Sequence, residues 1–232
     1  MSFRGSVVLA VIAVFSGLAV VLTSIRAEIP YPLLPYLKFD LAEIPVILVL
    51  LLVGPIPSLI TETIHWLGLT ITHGWVLGPL MKFLAVTPTL LGLWLGVKYY
   101  KTRAGVRGYS PSSALGLGML LGAVFRVVVC SLTNVVVFLY VAPGYLSFAE
   151  GVLRSVGLPI GSTFDVWVWT LALTALFNTL HVPISCILAA MVVRGAALRA
   201  VSYTHLRAHE TEADIVCRLL LEKKKKKEAK DK

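Results

Sequence analysis

The sequence predicts an all-α membrane protein with six transmembrane helices and both termini in the cytoplasm. Of its 232 residues, 57% are hydrophobic and only 14% are charged, and the mean hydropathy is +0.86. These values lie outside the range of soluble domains. A helix needs about 20 apolar residues to cross a bilayer, and four runs reach or approach that length: 7–25, 76–96, 114–141 and 166–193.

The region 41–71 supplies the second and third helices of this arrangement. Gly54, Pro55 and Pro57 interrupt it, and each half is short for a full crossing. By hydropathy alone, the region is either one kinked span or two short ones. The basic residues decide between these alternatives, because lysine and arginine in short loops mark the cytoplasmic side.

All the basic sites near the spans lie on one side of the membrane only if 41–71 crosses twice. They precede the first span, follow the last span and occupy the segment between the fourth and fifth helices: Arg4, Arg194, Arg199, Lys98, Lys101, Arg103 and Arg107. We therefore expect six helices, with outer loops at 26–40, 68–75 and 142–163.

Residues 201–232 differ from the rest of the chain because they are polar and contain a lysine run. One interpretation is a polybasic cytoplasmic tail that binds anionic lipid or nucleic acid. However, VSYTHLRAHET resembles the translation of a common transposase-type sequencing adapter. We therefore interpret 1–200 as the six-helix transmembrane domain and 201–232 as a non-native tail, and we expect no metal site from its histidines and cysteine.

The first outer loop, YPLLPYLKFDLAEIP at 31–45, combines prolines with aromatic and charged residues. Proline fixes backbone torsions and favours an extended path. Such a loop can act as a lid, with Lys38, Asp40 and Glu43 offering polar contacts at the mouth of the bundle. The alternative is an interfacial turn with snorkelling charges and a belt of tyrosines.

Several polar side chains fall within the predicted spans, where an ionisable group is costly and usually faces a cavity or a partner. They are Glu62, His65, Lys82, Arg126, Asn134, Asn178 and His181. One interpretation is mutual pairing that neutralises charge, for example of Glu62 with Lys82 or Arg126. The other is that neutral groups converge beneath the loop and bind a flat, hydrogen-bonding small molecule.

Three stretches resemble the substrate-binding S components of energy-coupling factor (ECF) vitamin transporters, in particular the riboflavin-binding branch. The resemblance covers residues 10–193. The stretches that carry it are the loop PLLPYLKFDLAEIP with the following GP at 54–55, the pattern R-x7-N at 126–134 with Pro143 and Tyr145 after it, and FN-x2-H at 177–181.

The resemblance implies an ECF S-component-like bundle that binds its vitamin from outside, beneath the loop after helix 1. It implies a multi-pass protein of the prokaryotic cell membrane that associates with a transmembrane T subunit and two ATP-binding-cassette ATPases. The implied ligand is riboflavin or a related flavin, with no further cofactor. The implied ligand contacts are Lys38, Asp40, Lys82, Asn134, Asn178 and His181. Lys82 stands where this branch typically has Asn, and His181 where it often has Lys.

Helix 1 carries two small residues, Ala13 and Gly17, four positions apart. Small residues at this spacing let helix backbones approach closely in lipid. A comparable alanine pair contacts the T subunit in the family, so the resemblance implies that these residues form a docking face. The alternative is that they pack inside the bundle.

Other function classes find less support in the sequence. An intramembrane enzyme built on Glu62 with His65, His73 or His181 would lack the HExxH, GxSxG or paired-aspartate signatures, so we expect no catalytic site. A stand-alone secondary transporter would show inverted repeats and discontinuous helices, of which only the GPIP break at 54–57 is an indication. An S component for a different vitamin or small molecule is the remaining alternative.

The chain contains no Walker A sequence, so any ATP hydrolysis falls to another subunit. Nothing in residues 1–200 indicates a nucleic-acid partner.

Overall fold

The computed structural model describes residues 5–105 and 112–228, and the chain divides into two compact units, 1–190 and 191–232. The described residues form seven α-helices, one two-stranded sheet and one π-helical turn. The helices are α1 (Gly5–Ser24), α2 (Glu43–Leu52), α3 (Pro55–His73), α4 (Leu77–Ala104), α5 (Ser112–Val136), α6 (Gly144–Ser155) and α7 (Thr163–Glu228). The backbone of 201–228 is helical, residues 229–232 lie outside the described part, and the interpretation of 201–232 as non-native stays a prediction.

Four segments are long and apolar enough to cross a membrane, which confirms the helical membrane architecture. They are Gly5–Ser24, Leu77–Ala104, Ser112–Val141 and Thr163–Ala196. Helix α2 has only 10 residues, which corresponds to about 15 Å at the rise of an α-helix. Six crossings with both termini in the cytoplasm therefore stay a prediction.

The break predicted in 41–71 separates α2 from α3. Gly54 lies between them with a φ of 134°, a conformation that glycine adopts without steric cost. Pro55 follows at the first position of α3, where a proline has no intrahelical hydrogen bond to lose. The chain therefore forms two helices here and not one kinked helix.

The fold is helical as expected, but the first outer loop differs from the prediction because it forms a β-hairpin. Strand β1 (Glu28–Tyr31) pairs antiparallel with β2 (Leu34–Asp40), and Glu28 lies opposite Asp40. The extended path that the prolines favour is therefore also a hydrogen-bonded one. Helical hydropathy patterns give no signal for such a short sheet in a polar loop.

A second correction concerns the outer loop predicted at 142–163, which contains α6. Pro143 precedes the helix, and its fixed φ suits a helix start. Ala149 and Leu153 are buried four positions apart, so one face of α6 packs against the protein. A 12-residue amphipathic helix is too short to register as a membrane span.

The hairpin and α6 pack together on the first half of α7. Phe177 of α7 contacts the rings of Tyr31 and Phe39, with centroid distances of 5.6 and 4.8 Å. The buried members of this cluster come from all three elements: Tyr31, Leu34, Leu153, Ile160, Val166, Leu173 and Phe177. The hairpin is therefore part of the core and not a free loop.

Helices α4 and α5 approach each other more closely than side chains would allow. A Cβ atom on Gly92 would lie 2.5 Å from Cα of Gly122, and one on Gly96 would lie 2.6 Å from Cα of Gly118. The sequences GLWLG and GMLLG carry these glycines at matching spacings of four. Such small-residue pairs bring membrane helices into backbone contact, and here they fix the two helices that carry Lys82 and Asn134.

Candidate functional site

A cavity of about 390 Å³ lies beneath the hairpin, within the size range of small-molecule sites. Strand β2, the start of α4, the end of α5, α6 and α7 all contribute to its walls. The lining residues are Tyr36, Leu37, Trp75, Leu77, Gly78, Met81, Asn134, Val137, Phe138, Tyr145, Phe148 and Thr174. None of these twelve side chains is charged.

Aromatic rings from different elements form much of the cavity wall. Tyr36 of the hairpin lies 5.7 Å from Phe148 of α6, and Trp75 lies 6.5 Å from Tyr145, measured between ring centroids. Phe138 adds a fifth ring from the π-helical turn Val137–Val141. Such rings offer flat apolar surfaces on which a planar ligand can stack.

The π-helical turn changes the direction of the side chains at the end of α5. Its wider spacing is shown by the amide of Ala142, which donates to the carbonyl of Val137 five residues earlier at 2.8 Å. Val137 and Phe138 of this turn both face the cavity. Turns of this kind occur frequently at functional sites, and no sequence pattern indicated this one.

The amide of Asn134 and the hydroxyl of Thr174, both in the cavity, have no hydrogen-bond partner among the described residues. The hydroxyl of Thr174 is unusual for this chain. Most helical threonines here donate to the carbonyl four residues earlier, as Thr133 does to Val129 at 2.6 Å and Thr179 to Ala175 at 2.8 Å. Asn134 and Thr174, which lie on different helices, can therefore both bond a ligand without giving up an existing partner.

Tyr36 covers the cavity from the hairpin side. Burial raises the pKa of Tyr36 to about 12, so its hydroxyl stays protonated at neutral pH and can donate a hydrogen bond. The expectation that the first outer loop covers a small-molecule site agrees with this placement.

Of the six ligand contacts that the resemblance implied, Asn134 alone lines the cavity. Lys38 instead forms an ion pair with Glu28 across the hairpin, and its side chain is partly exposed. Asp40 forms an ion pair with Lys82 of α4, and its Oδ1 also accepts from the amide of Ala42 at 2.7 Å. The ion pair between Asp40 and Lys82 connects the end of β2 to α4.

The remaining predicted contacts, Asn178 and His181, belong to a buried cluster around Arg126. The guanidinium of Arg126 donates to both carboxylate oxygens of Glu43, at 2.8 and 2.9 Å, and to Oδ1 of Asn178 at 2.8 Å. It also donates to Nδ1 of His181 at 3.1 Å, because a guanidinium has donors only. Nε2 of His181 lies 3.3 Å from the backbone nitrogen of Asp40.

The buried charges do pair with one another, as one interpretation of the sequence predicted, but the suggested partners are wrong. Glu62 contacts His65 at 3.2 Å, and neither Lys82 nor Arg126 is its ion-pair partner. Arg126 is neutralised by Glu43, which the sequence placed in a polar loop. Glu43 is in fact in the first turn of α2 and is only 2% exposed.

Ala13 and Gly17 lie on the outward side of α1. Both are exposed, and a Cβ atom added to Gly17 would meet nothing within 4 Å. The face of α1 that packs against the bundle is formed by Ile12, Ser16, Ala19 and Thr23. Packing inside the bundle is therefore not the role of this small-residue pair.

No group of three or more His, Cys, Asp or Glu side chains in the described ranges is arranged to hold a metal ion. The buried cysteines Cys130 and Cys186 are free thiols. The residues that line the cavity offer surfaces for stacking and groups for hydrogen bonding.

Known proteins resemble this chain in sequence and in fold. Residues 7–193 match the sequence model of the family described as ECF transporter, substrate-specific component. Among solved structures, the S component of a bacterial ECF transporter is similar, with a TM-score of 0.60 and 22% identity over 84% of this chain and 97% of that chain. At this identity the likeness concerns the fold alone. Comparison with curated proteins gave no significant match.

Proposed function

Because the chain belongs to the family of substrate-specific components of ECF transporters, we propose that it captures riboflavin or a related flavin in the cavity beneath the hairpin. As a family member it is a membrane substrate-binding subunit for transport and not an enzyme. ECF S components associate with T and ATPase subunits. We extend this to the present chain, which then delivers its vitamin across a prokaryotic cell membrane with a T subunit and two ATP-binding-cassette ATPases.

The observation that carries the proposal is an aromatic-walled cavity in which the polar side chains of Asn134 and Thr174 have no partner of their own. Five of its twelve lining residues are aromatic, which suits a planar ring system. The amide of Asn134 can both donate and accept, and so can the hydroxyl of Thr174. A flavin ring has flat faces and an edge of carbonyl and N–H groups, which match the rings and these two polar groups.

The absence of charge from the cavity lining narrows the ligand class. Burying a charge without a partner is costly, and no lysine, arginine or carboxylate is among the lining residues. This favours uncharged riboflavin over its phosphorylated mononucleotide and over a cationic vitamin such as thiamine.

The other residues that the resemblance implied as ligand contacts could reach a ligand only after leaving their present partners. Lys38 and Asp40 would first have to leave Glu28 and Lys82. Asn178 and His181 would likewise have to leave Arg126. In our proposal these side chains hold the hairpin and the surrounding helices in place, and Asn134 and Thr174 contact the vitamin.

Binding of riboflavin to the purified protein in detergent tests this proposal. We expect the fluorescence of riboflavin to be quenched on binding, with weaker binding of the mononucleotide and none of thiamine. Binding of another vitamin without any heat, quenching or thermal shift from riboflavin would show that the flavin assignment is wrong. Copurification with a T subunit and ATPases tests the assembly, and a stand-alone transporter would take up ligand without them.

A further inference from the structure

The side chains of Glu62 and His65 form a buried pair on α3 outside the residues that line the cavity. Oε2 of Glu62 lies 3.2 Å from Nδ1 of His65, and each side chain is only 1% exposed. Nε2 of His65 lies 3.0 Å from the hydroxyl oxygen of Thr23 on α1. Both imidazole nitrogens therefore have a polar contact. Which nitrogen carries a hydrogen atom depends on whether Thr23 and Glu62 act as donors or acceptors.

The hydroxyl of Thr23 limits what His65 can do. If the hydroxyl donates its single hydrogen to the carbonyl of Ala19, 3.2 Å away, Nε2 of His65 donates to Thr23. A neutral imidazole carries only one N–H. Nδ1 would then direct a lone pair at a carboxylate oxygen, which is a repulsive contact. One additional proton, on the carboxyl group or on Nδ1, converts this contact into a hydrogen bond.

In the alternative arrangement every hydrogen-bond donor has an acceptor, but a negative charge stays buried. If Thr23 donated to Nε2 instead, Nδ1 would donate to an ionised Glu62, and the pair would carry a negative charge. No lysine or arginine among the described residues is in an ion pair with Glu62, whereas Glu43 has two hydrogen bonds from Arg126. An unpaired carboxylate is costly in such a site and takes up a proton instead.

Among the neighbouring elements, Lys82 of α4 favours the ionised form of Glu62, but this positive charge is already paired. Its ammonium group is bound to Asp40 and lies 3.4 Å from the hydroxyl oxygen of Thr23. Glu43 of α2 contributes a further negative charge, and α1 contains no titratable side chain. We propose that Glu62 and His65 share one proton, so that the pair is a neutral, buried proton-binding site.

This site is connected to the hairpin through two hydrogen-bonded side chains. Thr23 contacts both His65 and Lys82, and Lys82 pairs with Asp40 at the end of β2. When the hairpin opens and Asp40 leaves, the ammonium group of Lys82 loses its counter-ion and can compensate an ionised Glu62. The carboxyl group then holds its proton less tightly and releases it at a lower pH than in the closed state. Closure restores the Asp40 pair, and Glu62 again holds the proton more tightly.

The sign of the coupling to ligand binding follows from this exchange. The closed, ligand-bound state holds the proton more tightly than the open state. Above neutral pH, where the open state loses the proton first, binding therefore takes up a proton and affinity falls as pH rises. This part rests on the proposed function, because it needs a ligand that closes the hairpin. The presence of the proton in the ligand-free protein does not depend on the identity of the ligand.

Infrared and nitrogen NMR spectroscopy of the ligand-free protein test the site directly. We expect at neutral pH either a protonated-carboxyl carbonyl band that disappears in Glu62→Gln, or an imidazolium signal that disappears in His65→Gln. Glu62→Gln keeps the shape of a protonated carboxyl group, and Glu62→Asp, which should shift the band without removing it, is a second variant. Glu150→Gln, at the exposed pair with Arg154, should change neither signal. A carboxylate together with a neutral imidazole would overturn the proposal.

The pH dependence of riboflavin affinity tests the coupling. For one linked proton, we expect the dissociation constant to rise by up to about tenfold per pH unit and to be independent of pH in Glu62→Gln. A constant affinity in the unmodified protein would overturn the coupling to the hairpin. Failure of riboflavin to bind at any pH would overturn the proposed ligand, whereas the spectroscopic result would still decide whether the pair holds a proton.

Discussion

The polar side chains of the bundle differ in whether their hydrogen bonds are already used. Asn178 is fully engaged, because its Oδ1 accepts from Arg126 at 2.8 Å and its Nδ2 donates to the carbonyl of Thr174 at 2.9 Å. Asn134 has no such partner among the described residues and lines the cavity. A residue of the same type can therefore serve the fold at one position and a ligand at the other.

Replacing Asn134 by leucine should weaken riboflavin binding without unfolding the protein. A polar ligand group left unpaired in a buried site costs about 1 to 3 kcal/mol, which corresponds to roughly 5- to 150-fold in the dissociation constant. Thr133→Val is a matched control on the same turn, because its hydroxyl bonds to the helix backbone and does not line the cavity. Fluorescence titration measures both. Equal losses in the two variants would show that Asn134 is not a ligand contact.

At the scale of elements, the hairpin is attached at two places. Aromatic contacts with Phe177 and Phe148 fix its strands, and the pair of Asp40 with Lys82 fixes its end. Both attachments must loosen before Tyr36 can move away from the cavity. The hairpin is therefore placed to control how fast a ligand leaves.

Asp40→Ala should increase the dissociation rate of riboflavin more than it decreases the association rate. Removing the carboxylate leaves Lys82 without its partner and frees the end of β2, and a cover governs escape more than encounter. We expect a several-fold faster release in stopped-flow measurements. Glu150→Gln, which breaks an exposed ion pair on α6, should leave the rate unchanged. A change confined to the association rate would argue against a covering role.

The close contact of α4 with α5 should be sensitive to a single methyl group. Gly92→Ala places a Cβ atom 2.5 Å from the backbone of α5, and the resulting shift should cost about 1 to 3 kcal/mol. Thermal unfolding in detergent would show a lower midpoint. Gly116→Ala on α5, where an added Cβ meets nothing within 4 Å, is the matched control and should unfold no earlier than the unmodified protein. Identical midpoints for both variants would contradict the backbone contact.

At the scale of the whole molecule, the outward face of α1 is free for a partner helix. We expect Gly17→Leu to weaken assembly with the T subunit and uptake, while riboflavin binding by the isolated protein stays intact. The reason is that the leucine side chain would hold the two helix backbones apart. Gly116→Leu, at an equally open glycine of α5, is the control for bulk added elsewhere. Loss of ligand binding together with assembly would show that Gly17 serves the fold of the subunit itself.

The membrane topology can be tested at two exposed positions. Thr102 lies near the end of α4 and Ser147 lies on α6, and both are exposed. With six crossings, single cysteines at these positions should react with an impermeant thiol reagent from opposite sides of the membrane. The background is a protein in which Cys217 is replaced by serine and Cys130 and Cys186 are buried. Reaction of both from the same side would contradict six crossings.

Local sequence patterns were enough to predict much of the fold. The four long apolar runs became helices, and the break at Gly54 and Pro55 separated α2 from α3, because hydropathy and backbone restrictions act within a few residues. The glycine contact between α4 and α5 could also have been predicted, from the sequences GLWLG and GMLLG. The amphipathic α6 and the hairpin were missed, since both are short and lie in segments that hydropathy marks as loops.

By itself, the sequence determined that this chain is a helical membrane protein with buried polar groups and a proline-rich loop after its first helix. The tertiary structure decided which polar groups are free. It paired Arg126 with Glu43, Lys82 with Asp40 and Glu62 with His65, and it left Asn134 and Thr174 open to the cavity. The physical reason is that hydrophobic burial and helix breaks depend on neighbouring residues. The partner of a buried charge depends instead on how helices distant in the sequence are rotated and packed against one another.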